Sequence, residues 1–173
     1  MTSISSAQPA IAKRETTRQA AIARWLLLIN GAASFYSAGV VLLVQVSYWL
    51  WGFVGRGEFE AYHFAWWSVQ GIILVVFPVA SVATVCAFAM LRWPPSDVPR
   101  WAVWLGVALQ IALWVGTAIW WGRWQAELNE VHLANGTLNP LFVTLFYTHW
   151  LRVGIVTAYA ILQFWMMAKS PNR

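Results

Sequence analysis

Asn139 to Met167 reads N-P-L-F-V-T-L-F-Y-T-H-W-L-R-V-G-I-V-T-A-Y-A-I-L-Q-F-W-M-M, and its basic residues are His149 and Arg152 alone. A helix needs about 20 predominantly apolar residues to cross the hydrocarbon of a bilayer, and this stretch supplies them from Leu141 onward. Asn139-Pro140 marks its start: asparagine caps a helix by accepting a bond from the next turn, and proline suits the first helical position because no acceptor awaits its missing N–H. The rest of the chain repeats the theme. Apolar runs also cover Trp25 to Trp49, Trp66 to Met90 and Trp101 to Trp121. The expected fold is therefore all-α, an integral membrane four-helix bundle over residues 25–167. A flexible tail at 1–24 precedes it and a short polar tail at 168–173 follows.

Composition agrees with that class. The 173 residues are 60% hydrophobic and only 10% charged, with a mean hydropathy of +0.59, values of membrane proteins rather than of soluble domains. Fourteen tryptophans and five tyrosines suit belts at the water interface, where an aromatic ring is half wetted. A formal charge of +5 does not point to nucleic acid, because the basic residues flank apolar runs instead of forming a patch. The lone Cys86 excludes an internal disulfide and a cysteine-rich metal motif. The start does not read as a cleaved signal, since some twenty polar or mildly apolar residues precede a run long enough to span.

Charge placement predicts the orientation. Lys13, Arg14, Arg18, Arg24, Arg92, Arg100, Lys169 and Arg173 are eight of the eleven Lys and Arg residues, and they fall in the two tails and the loop between spans two and three. The positive-inside rule then puts both termini in the cytoplasm of a cell whose inner membrane holds the bundle as a multi-pass protein. The outer side keeps Arg56, Arg123 and Arg152, the glutamates Glu58, Glu60, Glu127 and Glu130, and all three histidines, His63, His132 and His149.

Within the spans, polar residues recur at helical spacing. Asn30, Ser34, Ala38, Gln45 and Tyr48 make one such stripe, and Gln110, Trp114, Thr117 and Trp121 another, so both should face the bundle interior. Pro78 should loosen the second span near mid-membrane. In the first loop Arg56, Glu60 and His63 would share a helical face, with Arg56 and Glu60 as an ion pair. The longest loop, Gly122 to Asn139, should let the third helix run beyond the membrane before Asn135-Gly136 stops it.

Three readings fit the outer cluster. In the structural one, Arg152 reaches the surface and pairs with a glutamate, because a buried guanidinium needs an anion or carbonyl. In the second, His63, His149 and Glu127 bind a metal ion such as zinc, copper or iron, although no two of them have the spacing of a known metal motif. In the third, Gln45, His63, Gln70, His149 and Arg152 line a cofactor or ligand pocket. Gln45, Gln70, His149 and Arg152 would hydrogen-bond the carbonyls of a quinone or another hydrophobic ring compound, and Trp66, Trp67, Trp121 and Trp150 would wall it. Partners common to all three are lipid and, for a bundle so rich in tryptophan, other membrane-protein subunits. A transporter would need a half-repeat that the four spans do not display.

Several short stretches carry a resemblance: Val44-Gln45 with Trp49 close behind, Phe59-Glu60-Ala61-Tyr62-His63, Phe77-Pro78, and His149-Trp150-Leu151-Arg152. They resemble an uncharacterised family of small four-span bacterial membrane proteins with a Y-H-x-x-H segment closing the first loop and N-W-L-R opening the fourth helix. Here Trp66 stands at the second histidine, Gln125 at a further one, and His149 at the asparagine. More distantly the chain is similar to DoxX and anthrone-oxygenase-like proteins. That likeness implies an oxidoreductase association, with a quinone- or metal-dependent site at the outer face. The missing histidines imply instead a non-catalytic accessory or scaffold subunit of a larger membrane complex, the leading expectation for function.

Overall fold

The computed structural model describes the backbone of residues 7–67 and 72–170, and side chains from Thr16 onward. The described residues include the α-helices α1 (Ala7–Trp51), α2 (Phe59–Trp67), α3 (Leu74–Arg92), α4 (Arg100–Gly116), α5 (Gly122–Glu127) and α6 (Pro140–Lys169), with a π turn (Thr117–Trp121) between α4 and α5. Four segments are long and apolar enough to cross a membrane: Thr16–Trp51, Leu74–Arg92, Arg100–Glu127 and Pro140–Lys169. α1 packs on α3 and α6, and α4 packs on the same two, which closes a four-membered ring of helices running alternately up and down. The start of α1, the end of α6 and the proline turn at 93–99 lie at one end of the bundle. The α1–α2 connection, α2 and the long loop lie at the other.

The helices meet through small residues and are locked by larger ones. Near the termini Leu27, Met90, Val98, Ala102, Val103, Leu162 and Met166 form a core. In the middle, Ala33, Ala83, Ala87 and Val107 let the backbones of three helices approach Tyr159. Gly106 matters there, because a Cβ on it would stand 3.4 Å from the Tyr159 ring. At the loop end the core is aromatic: Tyr48, Trp51, Phe59, Trp121 and Phe142 pack with Val44, Leu128, Val131 and Leu145. The outward surfaces carry Leu43, Val85, Trp104, Ile161 and Phe164, a lipid-facing composition. Lipid removes no backbone donor from its partner, because helices satisfy their own.

The polar stripes do face inward. Asn30 accepts from Tyr159 Oη at 2.9 Å, and Gln110 accepts from Thr84 Oγ1 at 2.9 Å. Thr84 in turn accepts from Trp114 Nε1 at 2.7 Å.

Several boundaries differ from the sequence expectation. Helix α1 begins at Ala7, so residues 7–24, expected as a flexible tail, are helical and continuous with the first span, Thr16–Trp51. This segment is dense in Ala, Arg, Lys and Gln, strong helix formers, and a helix already nucleated in the membrane extends at little further cost. Phe59–Trp67 forms helix α2, and the described part of the second span is Leu74–Arg92; residues 68–71, inside the run expected to begin at Trp66, lie outside the described residues. Pro78 sits inside α3, four residues after Leu74. Arg56 precedes α2, separated from it by Gly57 at φ 85°. It pairs with Glu130 at 3.8 Å and not with Glu60. The third helix stops at Glu127, eight residues before Asn135. Beyond it the chain makes a narrow turn in which Leu133 N donates to Thr137 O and Gly136, at φ 81°, donates to Leu133 O.

Asn139 is the hinge between that loop and α6. Its Oδ1 accepts from Leu141 N at 2.9 Å and its Nδ2 donates to Glu130 O at 2.9 Å. Asn139→Ala loses both bonds, and we expect a loss of about 1–2 kcal/mol, read as a lowered Tm in detergent. Asn139→Asp, which keeps the cap acceptor, should recover part of the loss.

Candidate functional site

The site begins with a constraint on α6. His149 and Arg152 lie nine and twelve residues beyond Pro140, which puts Arg152 about 18 Å along the helix from its start. That lies within the segment Pro140–Lys169, which is long and apolar enough to cross a membrane. Ionisable groups at such depth face the bundle interior or a cavity, and both do so here.

His149 is fully buried, and Gln45 on α1 holds it. The Gln45 Nε2 donates to Phe146 O at 3.3 Å, and Gln45 Oε1 stands 2.9 Å from His149 Nδ1. A carbonyl can only accept, so the amide nitrogen must face Phe146 and the amide oxygen must face the imidazole. Nδ1 therefore carries a proton and donates it to Gln45. Tyr48, one turn further along α1, packs edge-on against the same ring with centroids 4.8 Å apart and donates to Gln125 Oε1 at 3.4 Å.

Arg152 has a different partner from the one expected. Glu127 pairs with Arg123 at 2.8 Å on the exposed rim, and Glu130 pairs with Arg56. Among the described residues Arg152 makes no ion pair. Its guanidinium carbon instead stands 4.6 Å from the centroid of the Trp121 ring, a cation–π contact that strengthens where water is excluded. Its Nε and Nη2 are buried with no hydrogen-bond partner among the described residues, and so is Nε2 of His149. Burying a polar nitrogen without a partner is costly, and this cluster gathers three such atoms within one helical turn.

The π turn places Trp121. A π turn carries one residue more than an α-helical turn and rotates the residues after it, and here it turns Trp121 into the core. Glycines flank it for steric reasons: a Cβ on Gly116 would lie 2.5 Å from Trp121 Cζ3, and one on Gly122 would lie 2.7 Å from Thr117 O.

Beside these groups is a partly open cavity of about 60 Å³, lined by residues of α1, α2, α3, α4 and α6. It has room for several water-sized groups, the scale of a ring and its oxygens. Val41, Val44, Phe77, Leu113, Trp114 and Val156 make it apolar, with Trp66 and Trp67 at the α2 side. Its hydroxyls are already engaged: Ser37 donates to Ala33 O at 2.8 Å and Thr117 to Leu113 O at 2.7 Å. His149 and Arg152 are its basic residues.

The sequence-predicted residues thus separate. Gln45, His149 and Arg152 come together, and Gln70 lies outside the described residues. Of the tryptophans expected as walls, Trp66 and Trp67 line the cavity, Trp121 lies under Arg152, and Trp150 is 51% exposed on the bundle's outside. Phe77, Trp114, Ser37 and Thr117 also line the cavity; the i, i+3 spacing of Trp114 and Thr117 carried that signal. The expected metal ligands stand in three different environments. His63 is stacked on Phe59 with centroids 5.2 Å apart and edge-on to Trp51 at 5.1 Å. His149 is tied to Gln45 and Glu127 to Arg123. Among the described residues no three His, Cys, Asp or Glu side chains converge.

The sequence matches no protein-family model, no curated protein and no solved structure.

Burial lowers the pKa of His63 below the ordinary imidazole value, because the charged ring would lose its hydration. The unfolded chain then binds a proton that the folded chain refuses. Stability is whole above the unfolded pKa and falls as pH drops through the imidazole range, from about 7 to 5. We expect the Tm in detergent to fall over that window, and His63→Phe, which keeps the aromatic packing, to flatten the fall.

Proposed function

We propose that this small multi-pass membrane protein is a non-catalytic binding subunit whose bundle holds a lipid-soluble ring compound bearing acceptor oxygens, a quinone being the model ligand. One observation carries the reading: a guanidinium inside the membrane, resting on Trp121 without a carboxylate among the described residues, borders an apolar cavity. A positive charge kept at such a place asks for an acceptor that the described residues do not supply. Carbonyl oxygens on a flat ring meet the need, since the ring covers Val41, Val44 and Trp114 while its oxygen accepts from Arg152. In this reading the protein serves a larger membrane assembly by holding the ligand, and the same cavity in a quinone-dependent oxidoreductase is the alternative.

The binding test is isothermal titration of a short-chain 1,4-naphthoquinone into the protein in lipid nanodiscs, with empty nanodiscs as the blank. Saturable binding is expected, with Arg152→Met weakening it at least about tenfold, the scale of a lost charge-assisted bond, while Ser47→Ala on the outer surface leaves it unchanged. No saturable heat above the blank would sink the reading.

The proposal includes the orientation: both termini in the cytoplasm, the cavity nearer the outer face of a bacterial inner membrane. Its support is the concentration of basic residues at the terminal end. Single cysteines placed at Ser96 and at Asn135 in a Cys86→Ala background test it. A membrane-impermeant maleimide on intact cells should label position 135 and spare position 96; the reverse pattern would invert the topology.

A further inference from the structure

The hydrogen bonds around His149 say more about the ligand than its size and polarity do. Phe146 O accepts from Gln45 Nε2, which turns the Gln45 oxygen toward His149 and fixes the imidazole proton on Nδ1. In the neutral ring the other nitrogen is then a lone pair and not a donor. That nitrogen, Nε2, is buried with no partner among the described residues, on a ring that borders the cavity. Three residues along the same helix face, Arg152 has Nε and Nη2 without a hydrogen-bond partner among the described residues, so both are available as donors. The two residues therefore offer opposite polarity one helical turn apart: an acceptor at His149 and donors at Arg152.

We propose that the cavity selects a ring compound carrying a hydroxyl as well as an acceptor oxygen, so that it prefers the hydroquinone form of a quinone to the oxidised form. The hydroxyl hydrogen is donated to His149 Nε2, and an oxygen of the same ligand accepts from Arg152. A fully oxidised quinone has acceptors only. It satisfies Arg152, but leaves Nε2 facing an oxygen lone pair, and a site built to bond a hydroxyl discriminates strongly against an analogue lacking it. The inference rests on the reading of the cavity as a ligand site, and only its hydroxyl preference is new.

Three probes on one skeleton separate the two ideas: 2,3-dimethyl-1,4-naphthoquinone, its hydroquinone held reduced under anaerobic dithionite, and the dimethyl ether of that hydroquinone. Titrated into the protein in nanodiscs, the hydroquinone should bind about tenfold more tightly than the quinone, the scale of one net hydrogen bond in a buried site. The ether, which keeps the shape and loses both hydroxyls, should bind no better than the quinone. His149→Phe should bring hydroquinone and quinone to the same affinity. Because a buried substitution can disturb folding, the unmutated protein supplies a second measurement. Nitrogen-15 spectra of labelled histidine should show His149 protonated on Nδ1 with a bare Nε2, whose resonance moves toward the hydrogen-bonded range when hydroquinone is added. Equal affinities for hydroquinone and quinone, an ether that binds as tightly as the hydroquinone, or a proton on Nε2 before addition would each overturn the hydroxyl preference and leave the cavity reading standing. Saturable binding by none of the three would overturn both.

Discussion

A side chain that carries a polar atom into hydrocarbon must find its partner inside the protein, and the seam between α1 and α6 is built on that demand. Gln45 reaches His149 toward one end, and Asn30 receives Tyr159 toward the other. Two cross-helix bonds far apart on the same pair of helices fix their register more tightly than apolar packing can, because a slip of one turn would strand four buried polar groups. The ring of helices closes on that seam, with Thr84, Gln110 and Trp114 making the matching link between α3 and α4. The nitrogens of Arg152 and His149 that have no partner among the described residues lie just beside the Gln45 contact, and both residues line the wall of a cavity.

The aromatic cluster joined to Trp66, which lines that cavity, has its own logic. Tyr48, Trp51, His63 and Trp66 touch ring to ring, with Tyr48 and Trp51 4.7 Å apart and Trp51 and Trp66 4.9 Å apart. Large flat side chains with few rotatable bonds exclude water at small entropic cost. Water kept from the guanidinium makes its field stronger and its choice of partner narrower.

Much of the architecture was legible in the chain. Four apolar runs, the Asn139-Pro140 start and inward polar stripes each rest on local chemistry, and local chemistry is what a single sequence exposes. The parts that were not legible depend on distant residues. Arg152 has four glutamates available by composition, and only the fold reveals that Glu127 and Glu130 are taken by nearer arginines. The extension of α1 to Ala7 follows from coupling to a span already formed, which the polarity of residues 7–24 conceals. His63, His149 and Glu127 looked like a ligand set because they share an end of the molecule, and sharing an end is a far weaker condition than convergence within about 2 Å of one ion.

The π turn at Thr117–Trp121 can also be expressed as chain length. It is equivalent to one residue inserted into an otherwise regular helix, and each residue turns an α-helix by about 100°. A one-residue deletion within it would leave the composition and the span nearly untouched, yet swing Gln125 away from Tyr48 and Trp121 away from Arg152. At this turn the bundle therefore depends on the number of residues as well as on their kind.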